Sequence, residues 1–386
     1  MQLKKPLKIT GRKTRRIDKW VKPLSRKRNK KVLVAMSGGV DSSVAAALLK
    51  DWGYEVAGVT MQIWPRETDD SDENACCSLS AVEDARRVAE ILDIPHYVMN
   101  FRSEFENKVI RNFIEEYLQG RTPNPCIVCN RRIKFETFLL KARMLEFDTI
   151  ATGHYAVIKF DGERERFLLY KAEDKAKDQS YFLHCLTQDQ MAKTIFPLGS
   201  YTKERVREIA RELGLPVSEK PESQEICFVT DNNYRGFIQE RAGYQIKPGP
   251  FLDKKGNVLG QHKGIPFYTI GQRKGLGLAL GYPVYVTDID VERNAVIVGK
   301  KEDVFHNEFI VKDNNFIPFD ELKEKMRVNV KVRYKTREAS ATIYPMDKGR
   351  VKVIFDQPQW AITPGQAAVY YDGEMVVGGG TIEKRV

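Results

Sequence analysis

From residue 31 to about residue 197, apolar runs of strand length alternate with stretches of helical period. Val32, Leu33, Val34 and Met36 form a short apolar run, and 40–49 is apolar at helical spacing. Residues 55–63 predict a second strand. Val82, Ala85, Val88, Ala89 and Leu92 mark one face of a helix over 79–92. Strands are predicted over 96–101 and 149–151, and helices over 105–118 and 133–145. Such alternation predicts an α/β domain built on a parallel sheet, with ligands at the carboxyl ends of its strands. Ser37, Gly153 and His154 fall at such ends. Two further helical patterns cover 202–213 and 233–242. From residue 249 onward Gly, Pro and β-branched residues dominate, and 328–334, 339–344, 350–355 and 367–371 alternate as short strands. They predict a small closed antiparallel β-barrel at the C-terminus. The expected organisation is a terminal extension over 1–30, a parallel-sheet domain over 31–200, a small central domain over 201–285 and the barrel over 286–386.

Charge changes this picture at one end. The net charge of +11 looks global, yet residues 1–30 hold thirteen Lys or Arg against one acid, Asp18, and the rest of the chain nearly balances. A like-charge segment of this kind is expected to be disordered alone and to suit phosphate binding; a solvated tail without a role is the plain alternative. No run of eighteen apolar residues is present, and the N-terminus lacks the apolar core of a secretory signal. Six cysteines in 386 residues do not make a secreted disulfide scaffold. A reducing, cytoplasmic setting is therefore expected.

Candidate chemistry gathers first at Ser37-Gly38-Gly39-Val40-Asp41-Ser42-Ser43. A glycine turn between a strand and a helix offers backbone N–H groups and the positive end of a helix dipole to a phosphate. The Lys-Ser/Thr pair of a Walker A loop is missing.

The second gathering is of thiols. Cys126 and Cys129 lie in a proline-rich loop, Arg121-Thr122-Pro123-Asn124-Pro125-Cys126-Ile127-Val128-Cys129. Cys129 is expected just ahead of a helix and beside Arg131, Arg132 and Lys134, neighbours that lower a thiol pKa. Cys227 lies in a strand-like piece elsewhere. Zinc on Cys76, Cys77, Cys126 and Cys129, a redox CxxC pair, an iron–sulfur cluster on Cys126, Cys129 and Cys227, and covalent sulfur chemistry at Cys129 and Cys227 all fit the residues. Cys185, in an apolar stretch, reads as a buried small hydrophobe.

The phosphate turn resembles the SGGxDS loop of the ATP-pyrophosphatase superfamily. Further signatures are Gly120 to Pro125 with Cys129-Asn130 and Ile133-Lys134-Phe135, Ala151-Thr152-Gly153-His154-Tyr155, Lys177-Asp178-Gln179-Ser180, 223–228, and Tyr268 to Gly275. In this order they resemble the tRNA-specific 2-thiouridylases, the MnmA family, over about 31–386.

The resemblance implies an enzyme that thiolates wobble uridine (position 34) of tRNA for Lys, Glu and Gln, through a uridine adenylated by ATP. Magnesium would accompany the ATP near Asp41, and sulfur would come as a persulfide from a cysteine desulfurase and its relay. It implies ATP contacts at Ala35, Met36, Ser37, Gly38, Gly39, Val40, Asp41, Ser42, Met61 and Gly153. It implies tRNA contacts at Cys126, Ile127, Val128, His154, Lys177, Asp178, Gln179, Arg333, Tyr334 and Gln366. Cys227 matches the persulfide carrier, and Cys129 the nucleophile that frees the sulfur and pairs with it. Many members carry Asp at the position of Cys126, which keeps the [4Fe–4S] alternative on Cys126, Cys129 and Cys227 open. Two rival functions are a small-molecule synthetase built on the same loop and a non-catalytic RNA-binding protein.

Overall fold

The structure, a computed structural model, describes residues 30–63, 79–221, 226–229 and 233–386. The extension over 1–29 and Cys76 and Cys77 lie outside these residues.

The first apolar run is strand β1, Lys31–Ala35, at the middle of a parallel sheet with β2 (Glu55–Gln62), β3 (His96–Asn100), β4 (Thr149–Ala151) and β7 (Thr194–Ile195). The order is β3-β2-β1-β4-β7. Successive β1 residues go to opposite faces and both faces are covered: Leu33 and Ala35 join one core cluster, Val32 and Val34 another. This is why β1 reads as continuous apolar sequence rather than as alternation. Because β2 and β4 flank β1 on opposite sides, the strand order reverses there, and a crevice opens at the carboxyl ends of β1 and β4.

The helical stretches over 105–118 and 133–145 are present, but each holds a widened turn. π-helix occupies Glu106–Ile110 and Asn130–Thr137. The second lies within a continuous helical run that begins at Pro125, with Asn124 Oδ1 capping the Ile127 N–H. Cys129 is thus one turn inside a helix and not ahead of it. The dipole reaches only the first turn, so Cys126, not Cys129, receives most of it.

Strands β5 (Val157–Asp161) and β6 (Arg166–Tyr170) form a hairpin that the α/β reading does not anticipate. The hairpin leaves the parallel sheet and joins the barrel through Tyr170 opposite Met375. The barrel itself is β12 (Phe305–Phe316), β13 (Met326–Lys331), β14 (Ala339–Pro345), β15 (Val351–Trp360), β16 (Ala367–Asp372) and β17 (Met375–Arg385). It runs in the order β12-β15-β14-β13-β16-β17 and closes through β12–β17 pairing. Closure leaves no open edge among these six strands.

Between the two lies a four-stranded sheet, β10-β11-β8-β9, of Gly249–Leu252 (β8), Val258–His262 (β9), Tyr285–Asp290 (β10) and Ala295–Gly299 (β11). The chain changes sheet between Gly299 and Phe305, whereas the sequence places the change near 285. β13 ends at Lys331, so Arg333 and Tyr334 stand on the turn that follows it and not on the strand expected over 328–334.

Candidate active site

Ser37 to Ser43 forms a tight loop onto helix α1 (Val40–Asp51). Gly38 has φ +69°, and a Cβ there would stand 2.3 Å from the Ala81 carbonyl oxygen, so backbone conformation and crowding both require glycine. Gly39 precedes the helix with extended backbone and no side-chain cap. Ser42 Oγ accepts from the Ser37 N–H at 3.1 Å, and Ser43 Oγ donates to the Gly39 carbonyl at 2.8 Å. These hydroxyls hold the loop in shape while the first N–H groups of α1 stay available to an anion.

The loop opens on a cavity lined by Ala35, Met36, Ser37, Asp41, Ser42, Thr60, Met61, Lys134, Thr152, Gly153, His154 and Gln179. Nine of the expected nucleotide and tRNA positions therefore meet around one space at the carboxyl ends of β1, β2 and β4. Two of the expected nucleotide positions contribute differently, Met36 within this lining and Val40 outside it. Met36 is 1% exposed and its sulfur fills the space beside Gly58, so chiefly its backbone faces a ligand. Val40 is likewise core, at 3%. Gly153 lies against the start of α1: a Cβ there would come within 2.7 Å of the Ser42 nitrogen.

Among the described residues Asp41 is the only carboxylate in the lining. Both its oxygens accept from Lys203 Nζ, at 2.7 and 2.8 Å, and Oδ1 also accepts from the Tyr155 hydroxyl at 2.7 Å. Lys203 is buried at the first position of helix Lys203–Glu212. No sequence signal points to it, because 162 positions separate it from Asp41. One carboxylate beside a phosphate site matches how magnesium is held when most of its ligands are phosphate and water.

His154 is buried, with Nδ1 2.7 Å from Thr152 Oγ1. Burial and then the Lys134 ammonium hold its pKa well below the ordinary histidine value, so it is neutral at pH 7. Its ring packs edge-on against Phe196 and tilted against Phe135.

Of Lys177-Asp178-Gln179, only Gln179 reaches the cavity; its Oε1 accepts from the Tyr155 N–H. Asp178 is buried and accepts from Ala172 N, Ser180 N and Ser180 Oγ, so it shapes the turn. Half-buried Lys177 donates its backbone N–H to the Asp174 carbonyl.

The described thiols are absent from this lining; Cys126 and Cys129 stand on the helical run that also carries Lys134. Cys126 is exposed, and Ile127, Val128 and Cys129 are half-buried. Ile127, Val128, Cys129, Ile226 and Cys227, from distant parts of the sequence, all pack against the same large core cluster, which runs from the parallel sheet to the barrel. Tyr334 joins it, 4.4 Å from Phe182 centre to centre. Gln366 Nε2 donates to the Thr122 and Pro123 carbonyls at 2.9 and 3.1 Å, which clamps the proline loop ahead of Cys126 to the barrel. Arg333 Nη2 donates to Ile270 O and Thr363 Oγ1 and ties the turn after β13 to the central domain. Cys185 is buried, and burial pushes its thiol up to about 12, as expected of a core residue.

Among the described residues no three His, Cys, Asp or Glu side chains gather to hold a metal ion.

The comparisons follow the same division of the chain. A family model described as tRNA methyl transferase HUP domain matches residues 30–231, its PRC-barrel domain 235–300, and an aminomethyltransferase beta-barrel domain 306–382. The chain is 62% identical over 352 residues to the tRNA-specific 2-thiouridylase MnmA of Moorella thermoacetica, covering 91% of this chain and 99% of that one. It is 57% identical over 362 residues to MnmA 1 of Thermoanaerobacter sp., covering 93% and 100%. It is 59% identical over 359 residues to MnmA of Desulforamulus reducens, covering 92% and 98%. With a phosphate loop, a nucleotide-type crevice and two cysteine segments brought to one core, and with this coverage of its relatives, the chain belongs to the tRNA-specific 2-thiouridylase family.

Proposed function

We propose that this chain is an ATP-dependent tRNA uridine 2-sulfurtransferase acting on wobble uridine (position 34) of tRNA for Lys, Glu and Gln. The observation that carries the reading is the helical run from Pro125, which bears Cys129 on the core shared with Cys227 and also supplies Lys134 to the cavity. One element thus joins the phosphate-binding crevice to the thiols.

The C2 carbonyl of uridine is a poor electrophile. In the first step its oxygen attacks the α-phosphate of ATP, and pyrophosphate leaves onto the N–H groups of Ser37–Ser43. In the second, the terminal sulfur of a Cys227 persulfide forms a bond to C2, and AMP leaves with the C–O electron pair. The Cys129 thiolate then attacks the Cys227 sulfur. The S–S bond breaks with its electrons on the sulfur now bound to C2, and a Cys129–Cys227 disulfide forms. A thiol reductant supplies two electrons to reopen it, and a cysteine desulfurase with its relay reloads Cys227 in the cytoplasm. No step is routed through an iron–sulfur cluster.

Wobble uridine suits this chemistry because anticodon bases are single-stranded and can be splayed out. A groove in the central domain, between helix Tyr234–Ala242 and the loop at Gly275, presents Arg235, Gln239, Lys263 and Tyr268. These groups suit RNA phosphates, as does the basic stretch at 1–30, and would position tRNA without reading sequence.

The test is nucleoside mass spectrometry on unmodified tRNA for Lys, incubated anaerobically with the protein, ATP, magnesium and a persulfide donor. A 2-thiouridine that requires ATP and is lost in Cys129→Ser supports the reading. Thiolation independent of ATP, or none at all, overturns it.

A further inference from the structure

Among the described residues that line the cavity, Lys134 is the one that carries a full positive charge, since His154 is held neutral. The other cations nearby are already engaged or point elsewhere. Lys203 is bound to Asp41, Arg132 to Glu136, and Arg131 is exposed. Lys134 is half-buried, and it has no carboxylate or hydrogen-bond partner among the described residues. An ammonium withdrawn from water without a counter-ion loses solvation. A cavity that keeps one in this condition is suited to an anion that arrives with the ligand.

Its place on the helix is equally specific. In a regular α-helix, at 3.6 residues per turn, residues five apart differ by about 140° around the axis. In the π-helix Asn130–Thr137 the hydrogen bonds run from i to i+5, as from Phe138 N to Ile133 O, and the turn is wider. Residues 129 and 134 therefore come closer to one face. The widened turn carries Lys134 into the nucleotide cavity while leaving Cys129 on the same side of the helix.

We propose that Lys134 is a further catalytic residue: its ammonium meets the α-phosphate of ATP and then the AMP that sulfur displaces. The proposal rests on the thiouridylase reading above. In the displacement a C–S bond forms and the C2–O bond breaks. Its electron pair goes to the phosphate oxygen, and the phosphate passes from one negative charge towards two. A fixed cation in a cavity partly closed to water stabilises that developing charge more than it stabilises bound ATP. The pyrophosphate end already has the N–H groups of α1 and the Asp41–Lys203 pair, which leaves the α-phosphate end to Lys134.

The experiment is single-turnover thiolation at saturating ATP with the full chain, alongside ATP binding by calorimetry and thermal unfolding. Lys134→Gln is expected to slow formation of 2-thiouridine by about 100-fold or more, with a much smaller loss of ATP affinity. Lys134→Arg should recover a large part of the rate. Should Lys134→Gln fail to fold, Lys134→Met carries the same test. A wild-type single-turnover rate in the neutral variant, or a loss confined to ATP affinity, overturns the proposal. If the unaltered protein makes no 2-thiouridine, the thiouridylase reading fails and takes this assignment with it. Normal turnover in the unaltered protein with an unaffected variant sinks this assignment alone.

Discussion

Asp41 faces the cavity with both oxygens on Lys203 and one on Tyr155. Lys203→Met would leave that carboxylate half-buried without its cation. Asp41 is about a third exposed, so the expected cost is discounted to about 1–2 kcal/mol. The double variant with Asp41→Asn should lose less than the sum of the two singles, since both remove one interaction. Additivity in denaturant unfolding would contradict a direct pair. Gly38→Ala meets both a positive φ and a backbone carbonyl, and is expected to cost more than about 1 kcal/mol and to abolish ATP binding by calorimetry. His184 gives a pH signature. Burial lowers its pKa from 6.5 to about 4, against the bond it donates from Nδ1 to the Tyr181 carbonyl. Below pH 6.5 the unfolded chain takes up a proton that the folded chain refuses. Its contribution is therefore constant above about pH 6.5 and stability falls as pH drops towards 4. The loss amounts to about 2 kcal/mol between pH 7 and pH 5. In His184→Gln this share of the slope should vanish; an unchanged slope would assign it elsewhere.

At the scale of elements, the helical run from Pro125 does most to build the site, and it is held at its start from outside. Gln366 donates to the Thr122 and Pro123 carbonyls, and Thr122 N donates to the Pro364 carbonyl. Gln366→Ala removes two hydrogen bonds, about 1–3 kcal/mol together. It should raise amide exchange at Cys126–Cys129 while the parallel sheet keeps its protection. Uniform exchange across the chain would mean that the clamp is not local. The helices and strands themselves were legible because their apolar periods are strong: 55–63, 96–101 and 202–213 all appear within a residue or two. The π turns were not legible, because a one-residue change in hydrogen-bond spacing leaves the apolar pattern almost intact. The hairpin 157–170 carries a turn signal of its own, with Asp161 Oδ1 accepting from Glu163 and Arg164 N–H groups. Its partner strand, β17, lies two hundred residues on.

Over the whole molecule, the first domain, the central sheet and the barrel are interlocked rather than strung in a line. The hairpin crosses to the barrel, Arg333 ties barrel to central domain, and Gln366 ties barrel to the cysteine loop. No helix among the described residues is long and apolar enough to cross a membrane. The charge asymmetry carries a prediction at this scale. Removing 1–30 takes away thirteen basic residues, so tRNA affinity should drop and the salt dependence of binding should flatten. Equal affinity and equal salt slope for full and shortened chains, measured by filter binding, would leave the extension without a binding role.

The phosphate loop, the periods of the individual strands and helices, and the two cysteine segments were determined by sequence alone, because each rests on neighbours within a dozen positions. Local spacing fixes turn conformation, apolar period and thiol identity without reference to the rest of the chain. Only the tertiary structure decided which distant residues answer them. Lys203 reaches Asp41, Lys134 turns into the cavity, and Cys227 comes to the core of Cys129. It also gave different duties to residues read alike: Gln179 faces the cavity, while Asp178 is consumed by its own turn. The physical reason is one of range. Periodicity and turn chemistry act along the chain, whereas charge pairing and close packing act through space, between groups that only the completed fold makes neighbours.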